Sequence, residues 1–176
     1  MNMQRNMQSA KIYIDMDGTV NHWDLNGNPH EEHYFLYREP FENVLRAVRI
    51  LKESGFDIAF ATSVYMNGNA RADKLQWLKE QGMSDIPVTF IPYGENKDDY
   101  LQGEHKILID DHTPNLLNFT GMGVKLINRD NHKNGVWQGK TLRYDDDPYH
   151  IAACIGCWAK YEGLENDLQD RLEELF

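Results

Sequence analysis

Acidic and hydroxyl side chains follow three short apolar runs of this sequence, and together they would suit a cation. They are Asp15 and Asp17 after the first run, Thr62 and Ser63 after the second, and Asp110 and Asp111 after the fourth. Four carboxylates that meet at one place repel one another strongly unless a cation lies among them. Hard oxygen ligands in modest number suit Mg²⁺, with water and a substrate phosphate completing the octahedron. If these runs are neighbouring strands, we expect a Mg²⁺ site at their ends.

Five short runs rich in β-branched residues are typical of buried strands. They cover residues 11–14, 57–61, 86–91, 106–109 and 124–127. Helical patterns lie between several of them, and this alternation indicates a parallel sheet with helices on both faces. In such α/β sheets the ligand crevice lies beyond the carboxyl ends of the strands, where the acidic and hydroxyl residues stand. The sequence therefore predicts an α/β fold with a central parallel sheet flanked by helices.

Apolar spacing and end signals predict the helices. The stripes are Phe41, Val44, Leu45, Val48 and Leu51 in the first helix, Ala72, Leu75 and Leu78 in the second, and Leu164, Leu168 and Leu172 in the last. A short helix is expected over residues 114–119. The C-terminal region is expected to form two helices, the first capped by Asp147 with Pro148 at its opening position.

The stretch Asp15-Met16-Asp17-Gly18-Thr19-Val20 resembles the first motif, DxDGT[VL], of the haloacid dehalogenase (HAD) superfamily. Thr62 resembles the second motif, Lys97 fits the lysine of the third, and Asp110-Asp111 resembles the acidic pair of the fourth. All four occur in the family's order. The resemblance implies a Rossmann-like HAD fold, with residues 1–176 as one domain and a minimal cap or lid inserted at 20–39.

Within that superfamily, the chain is most similar to the 5′(3′)-deoxyribonucleotidase branch. The similarity is carried by the Thr62-Ser63 pair and by the acidic pair with its preceding strand. The chain differs from that branch at Glu95, where the branch has an arginine, and in the absence of a larger helical cap after the first motif.

The resemblance also implies roles for individual residues. Asp15 would be the nucleophile that forms an aspartyl-phosphate, and Asp17 the general acid and then the general base. Thr62 and Lys97 would complete the catalytic set by binding the transferring phosphoryl group, with Ser63 as a further substrate contact. The implied Mg²⁺ ligands are Asp15, Asp17 through its backbone carbonyl, and one or both of Asp110 and Asp111.

The 20–39 segment leaves the first strand just beyond Asp15 and therefore has to pass the crevice. It contains three histidines and several aromatic residues, and the histidine spacing matches no ligand pattern. One interpretation is a surface loop with ordinary packing. We prefer a lid in which Trp23 stacks on a base and Arg38 contacts a phosphate.

Composition bounds the remaining possibilities. The chain has 176 residues and a net charge of −10, so bulk binding to nucleic acid is not expected. There is neither an 18-residue apolar stretch nor an apolar leader, so we expect no membrane span and no signal peptide. The two cysteines, Cys154 and Cys157, are expected to be buried helix thiols rather than a redox pair, which is consistent with a reducing cytoplasm.

These observations lead to one leading function and several alternatives. The leading function is a Mg²⁺-dependent phosphomonoesterase that acts through an aspartyl-phosphate, as a 5′-nucleotidase or deoxyribonucleotidase on nucleoside monophosphates. Alternatives are a phosphatase for a sugar phosphate or a nucleic-acid 3′-phosphate, a phosphomutase, and a non-catalytic HAD-like binding protein. Because the predicted lid is small, we expect an open pocket, which either is completed by a second subunit in a homo-oligomer or admits a bulky substrate.

Overall fold

The described part of the chain folds into strands that alternate with helices. The computed structural model describes residues 9–65, 68–131 and 136–173, and of residues 162–173 only the backbone. The strands are β1 (Lys11–Ile14), β2 (Ile58–Val64), β3 (Val88–Pro92), β4 (Lys106–Asp110), β5 (Met122–Ile127) and β6 (Lys140–Arg143). The helices are α1 (Glu42–Glu53), α2 (Ala70–Glu80), α3 (Thr113–Leu117) and α4 (Pro148–Glu173), and a 3₁₀ turn, Lys97–Tyr100, precedes β4.

All six strands belong to one parallel sheet in the order β3-β2-β1-β4-β5-β6. The chain adds β2 and then β3 on one side of β1, and afterwards crosses back to place β4 on the other side of β1. The strand order therefore reverses between β1 and β4. In open α/β sheets, this reversal opens a crevice beyond the carboxyl ends of the two strands.

The sheet is covered on both faces, because successive side chains of each strand point to opposite sides. On β1, Ile12 and Ile14 belong to the larger core, which is shared with α1, α2 and α4. Tyr13 belongs to a smaller core on the other face, which is shared with α3. The predicted α/β architecture, with a parallel sheet flanked by helices and of the Rossmann-like type, is thus confirmed.

The five predicted strands are confirmed, with ends shifted by no more than three residues. The largest shift extends β2 to Val64, so that Thr62 and Ser63 lie inside the strand. The sequence does not predict β6, because this edge strand buries only Leu142 among four mostly polar residues. Such a segment lacks the apolar run by which a buried strand is identified.

The predicted apolar stripe of α1 is confirmed, whereas that of α2 is confirmed at Leu78 and wrong at Ala72 and Leu75. Leu75 is 48% exposed and Ala72 is also exposed. The buried residues of α2 are Ala70, Asp73, Lys74, Trp77 and Leu78. The buried face includes two charged residues with polar partners, which a search for apolar spacing passes over.

At the C-terminus, the structure has one continuous helix, α4, instead of the two predicted helices. The predicted cap is confirmed, because the Asp147 side chain accepts hydrogen bonds from the backbone N–H groups of Tyr149 (2.9 Å) and His150 (3.2 Å). The side chains of Leu164, Leu168 and Leu172 lie outside the described residues.

The prediction of buried cysteines is wrong. Cys154 is only partly buried and Cys157 is exposed, and both are free thiols. The buried stripe of α4 runs through Ile151, Ile155 and Ala159, so it leaves both cysteines beside it.

Among the residues whose placement is described, no helix combines the length and the apolar character needed to cross a bilayer.

Candidate active site

Three aspartates meet where the strand order reverses. Asp15 directly follows β1, and Asp110 and Asp111 lie at the end of β4. The two strands remain paired up to this point, and the Asp15 N–H donates a hydrogen bond to the Ile109 carbonyl (2.9 Å). One carboxylate oxygen from each of the three aspartates lies within 4.8 Å of the others. The structure therefore brings together side chains that the sequence places almost a hundred residues apart.

Lys97 lies buried among these aspartates, as the first residue of the 3₁₀ turn before β4. Its ammonium group donates hydrogen bonds to Asp15 (2.5 Å), to Asp110 (2.6 Å) and to the carbonyl oxygen of Ala61 (3.1 Å). Lys97 thus links the ends of β1 and β4 to the middle of β2. It also supplies a positive charge beside the carboxylate that the sequence predicts to be the nucleophile.

The cluster is electrostatically unfavourable for its carboxylates. Burial raises the pKa of Asp15 to about 7; Lys97 opposes this rise, and Asp110 and Asp17 add to it. Burial also raises the pKa of Asp111 well above its usual value, with Asp110 and Asp15 adding to the rise. The pKa of Lys97 is raised by Asp110 and Asp15, although burial, the largest single influence, works against it. A further cation would therefore stabilise the ionised cluster.

A second buried lysine, Lys74 on α2, contacts the predicted acid–base residue. Its ammonium group forms an ion pair with the Oδ2 atom of Asp17. It also donates to the Thr62 hydroxyl (2.6 Å) and the Ser63 carbonyl (2.9 Å), and lies 4.5 Å from the centre of the Phe35 ring. The other carboxylate oxygen of Asp17 is buried without a hydrogen-bond partner among the described residues. One oxygen of Asp17 is therefore held in place while the other remains available.

Sequence reasoning missed Lys74, because the predicted stripe of α2 runs through Ala72 and Leu75. Lys74 follows the buried Ala70 by four residues and precedes the buried Trp77 by three, so it lies on the same helical stripe. A lysine within a buried stripe needs an anionic or polar partner. That mismatch is the signal from which the sequence could have identified this residue.

Asp111 is held by side chains that the sequence analysis did not single out. The Asn128 amide donates to the Asp111 carboxylate (3.1 Å) and to the Gly18 carbonyl (2.7 Å), and the Asn131 amide donates to the Asp111 carbonyl (3.2 Å). Gly18 has a positive φ of 81°, and a Cβ atom there would collide with the Asp111 carboxylate. Only glycine therefore allows the turn after β1 to approach Asp111 so closely.

A cavity of about 550 Å³ lies over this cluster. Its charged and hydroxyl lining includes Asp15, Asp17, Ser63, Lys97 and Asp111. Its aromatic lining consists of Trp23, Phe35, Tyr65 and Tyr93. The cavity thus joins a polar, charged region to an aromatic one, a division typical of sites that bind and orient small molecules.

The predicted substrate-binding residues differ in their access to this cavity. Ser63 and Trp23 line it, with Trp23 packed 5.6 Å from the Tyr34 ring. Thr62 is fully buried, and it contacts the site through Lys74. Arg38 does not line the cavity: its guanidinium stacks 4.1 Å above the Tyr34 ring and lies 3.6 Å from Asp24. The Arg38 guanidinium therefore makes these contacts within the 20–39 segment and stabilises that segment.

Three of the four predicted metal ligands present carboxylate side chains that suit a hard divalent cation. Asp15, Asp110 and Asp111 offer carboxylate oxygens, the ligand type that Mg²⁺ prefers. One oxygen of the Asp17 carboxylate is paired with Lys74, and the atom of Asp17 that the family resemblance implies as a metal ligand is its backbone carbonyl oxygen. The raised pKa values of Asp15 and Asp111 also favour a bound cation.

No protein-family model matches this sequence, and no curated protein matches it at a significant level. The resemblance to the HAD superfamily therefore rests on the motif residues, and any activity has to be argued from the geometry of the site.

Replacing Asp15 by Asn should stabilise the metal-free protein, and by an amount that depends on pH. Native Asp15 keeps its proton up to about pH 7, whereas the unfolded chain loses it near the ordinary value of 3.8. The native state therefore binds more protons in this window, and the contribution of Asp15 to stability falls as the pH rises through it. We expect Asp15→Asn to raise the free energy of unfolding at pH 8 by on the order of 4 kcal/mol.

Chemical denaturation in the presence of a chelator, at pH 4 and at pH 8, measures this difference. The gain from Asp15→Asn should be much smaller at pH 4, and added Mg²⁺ should reduce it at pH 8. The control is Asp57→Asn, an exposed aspartate paired with Lys11 (3.7 Å) at the opposite edge of the sheet. A gain that is absent at pH 8, or equal at both pH values, would contradict the electrostatic account.

Proposed function

We propose that this chain is a Mg²⁺-dependent phosphomonoesterase of the HAD type, which acts through an aspartyl-phosphate and takes a nucleoside monophosphate as its substrate. One observation carries the proposal. Asp15 lies in contact with Lys97 on the floor of a cavity, and Asp17 lines the same cavity with one carboxylate oxygen unpartnered. A nucleophilic carboxylate beside a positive charge, with a second carboxylate able to move a proton, is what phosphoryl transfer in two steps requires.

In the first step, a carboxylate oxygen of Asp15 attacks the phosphorus atom, and the bond from phosphorus to the alcohol oxygen breaks. Asp17, protonated on the Oδ1 atom that Lys74 does not contact, transfers this proton to that oxygen, so the leaving group departs as a neutral alcohol. Lys97 offsets the repulsion between the Asp15 carboxylate and the incoming phosphate. Ser63, which lines the cavity, donates its hydroxyl to a phosphoryl oxygen.

In the second step, a water molecule attacks the phosphorus atom of the aspartyl-phosphate. Asp17 is now ionised and takes a proton from the water, and the bond between phosphorus and Asp15 breaks. Inorganic phosphate leaves, and both aspartates return to their starting protonation states. Lys74 keeps the Asp17 side chain in one orientation through both proton transfers, and Thr62 fixes Lys74 in turn.

The contacts of the acidic pair distinguish the two residues. Asp110 is already saturated, because it accepts hydrogen bonds from Lys97, from the Asn115 amide (2.9 Å) and from the His112 N–H (2.8 Å). Asp111 accepts a side-chain hydrogen bond only from Asn128 among the described residues. We therefore assign Asp111 as a direct metal ligand with Asp15 and the Asp17 carbonyl, and Asp110 as the residue that orients Lys97.

When bound there, Mg²⁺ supplies Lewis-acid charge that offsets both the buried carboxylates and the phosphate.

The aromatic lining supports a nucleotide as the substrate. Trp23, Phe35, Tyr65 and Tyr93 line the side of the cavity, and aromatic faces stack well on flat rings. The cavity volume of about 550 Å³ is in the range of small-molecule sites. The 20–39 segment supplies Trp23 and Phe35, and acts in this proposal as the lid over the base.

The direct test is phosphate release from a panel of nucleoside monophosphates, sugar phosphates and 3′-phosphorylated oligonucleotides with Mg²⁺. We expect the wild-type chain to cleave nucleoside monophosphates best, and a chelator to abolish turnover. Asp15→Asn should lower kcat by at least about a thousandfold, because it removes the nucleophile. Asp57→Asn serves as the matched control and should retain full activity.

The other outcomes of the panel have distinct meanings. Preference for a sugar phosphate or for an oligonucleotide end would retain the mechanism and refute the nucleotide substrate. If Asp15→Asn is as active as the wild-type chain, Asp15 is not the nucleophile. If a generic phosphate ester with Mg²⁺ gives no turnover at all, the chain is a binding protein rather than a phosphatase.

Replacing Lys74 by Met should slow the reaction in a way that depends on the leaving group. Without Lys74, the Asp17 side chain is no longer held, so proton transfer to the alcohol becomes inefficient. We expect kcat for an alkyl ester such as a nucleoside monophosphate to fall by about a hundredfold. The decrease for 4-nitrophenyl phosphate should be several times smaller, because its leaving group needs no proton.

Steady-state kinetics on the two esters measure this difference, and Lys79→Met, an exposed lysine of the same helix, is the control. Equal losses of kcat on both esters would show that Lys74 has only a structural role.

A further inference from the structure

The outer part of the cavity combines aromatic rings with a single carboxylate. Tyr65 and Tyr93 pack with their ring centres 4.5 Å apart, and Tyr93 is 66% exposed, so this pair lies where the cavity meets solvent. Glu95 lines the cavity beside them and is also exposed. We call Tyr65, Tyr93 and Glu95 the rim.

The position of Glu95 is fixed by a tight turn after β3. The Glu95 N–H donates to the Pro92 carbonyl (3.1 Å), and Gly94 within this turn has a φ of 92°. Two residues later, Lys97 is buried against the aspartates. A single residue, Asn96, therefore separates the Glu95 carboxylate at the rim from the buried Lys97 along the chain.

The cavity has a positive charge at its bottom and a negative charge at its rim. Lys97 is the only lysine or arginine that lines the cavity among the residues whose placement is described, and it lies at the bottom. Glu95 forms no ion pair with any of the described residues, so its charge is not neutralised there. An anionic group at the bottom meets positive charge, whereas an anionic group at the rim meets a carboxylate and aromatic rings.

We propose that Glu95 makes the site selective for esters with a single phosphate, by repelling a second phosphate carried on the leaving alcohol. This inference rests on the proposed phosphomonoesterase function and adds a specificity-determining residue to it. The transferred phosphate occupies the floor, so a second phosphate on the same substrate has to lie toward the rim. There it would face the like charge of Glu95 without gaining a cationic partner.

The test compares one nucleoside 5′-monophosphate with the 3′,5′-bisphosphate of the same nucleoside, using kcat/KM for release of the 5′-phosphate. In the wild-type chain, kcat/KM should be about a hundredfold higher for the monophosphate than for the bisphosphate. The reason is the repulsion between the second phosphate, a dianion, and the Glu95 carboxylate at close range. Glu95→Lys should lower this ratio by at least about tenfold, mainly through KM for the bisphosphate. Glu95→Gln should give an intermediate ratio.

Two controls isolate the charge effect. Glu53→Lys carries the same charge change at the last residue of α1, at the opposite edge of the sheet, and should leave the ratio as in the wild-type chain. High salt should shrink the effect of Glu95→Lys, because screening weakens interactions between exposed charges.

The outcomes separate this inference from the function on which it rests. If the monophosphate is cleaved but the ratio is near one in the wild-type chain, or is unchanged in Glu95→Lys, the role of Glu95 is refuted and the phosphatase function stands. If neither ester is cleaved by any variant, both are refuted. A ratio that changes equally in Glu53→Lys would show that net charge, rather than the rim, sets the selectivity.

Discussion

The packing of three carboxylates, two of them buried and one partly buried, around one lysine is the interaction on which the rest of this site depends. Asp15, Asp110 and Asp111 lie at the ends of two adjacent strands with Lys97 among them. Removing carboxylates from water is costly, and the raised pKa of Asp15, about 7, expresses that cost. Proteins retain such an arrangement where the charge has a use. In the proposed function, this charge binds a metal ion and positions a phosphate group. Ordinary core packing requires neither.

The fold explains why the cluster can exist at all. Parallel strands deliver their carboxyl ends to one edge, and the reversal of strand order between β1 and β4 leaves that edge uncovered. The surrounding contacts then fix each acidic group separately: Lys74 holds Asp17, and Asn128 holds Asp111. Because these two residues come from α2 and from the segment after β5, the site depends on packing across nearly the whole sheet. We infer that the two lysines have separate roles: Lys97 stabilises the charge of the proposed nucleophile, Asp15, and Lys74 orients the proposed acid–base residue, Asp17.

The sequence predicted the parts of the site that follow strands. Asp15 and the Asp110-Asp111 pair could be found because short apolar runs mark buried strands and polar residues mark their ends. Lys74 could not be found in this way, since it follows no strand and its role is set by a tertiary contact with Asp17; its place on the buried stripe of α2 is the signal that the sequence offers instead. The same limit applies to Arg38, a plausible phosphate ligand by type, which stacks on Tyr34 instead. The type of a side chain indicates which chemistry it can perform, whereas tertiary packing determines whether it reaches the site.

The central claim is that Asp15 becomes covalently phosphorylated, and it can be tested directly. The measurement is mass spectrometry of acid-quenched protein after mixing with a nucleoside monophosphate and Mg²⁺, followed by mapping of the modified peptide. The Asp17→Asn variant, with 4-nitrophenyl phosphate as donor, should accumulate the intermediate, because the step that hydrolyses it lacks a base. The account predicts one added phosphoryl group on the peptide that contains Asp15, and none in Asp15→Asn. Turnover without any such adduct, or an adduct on another residue, would contradict it.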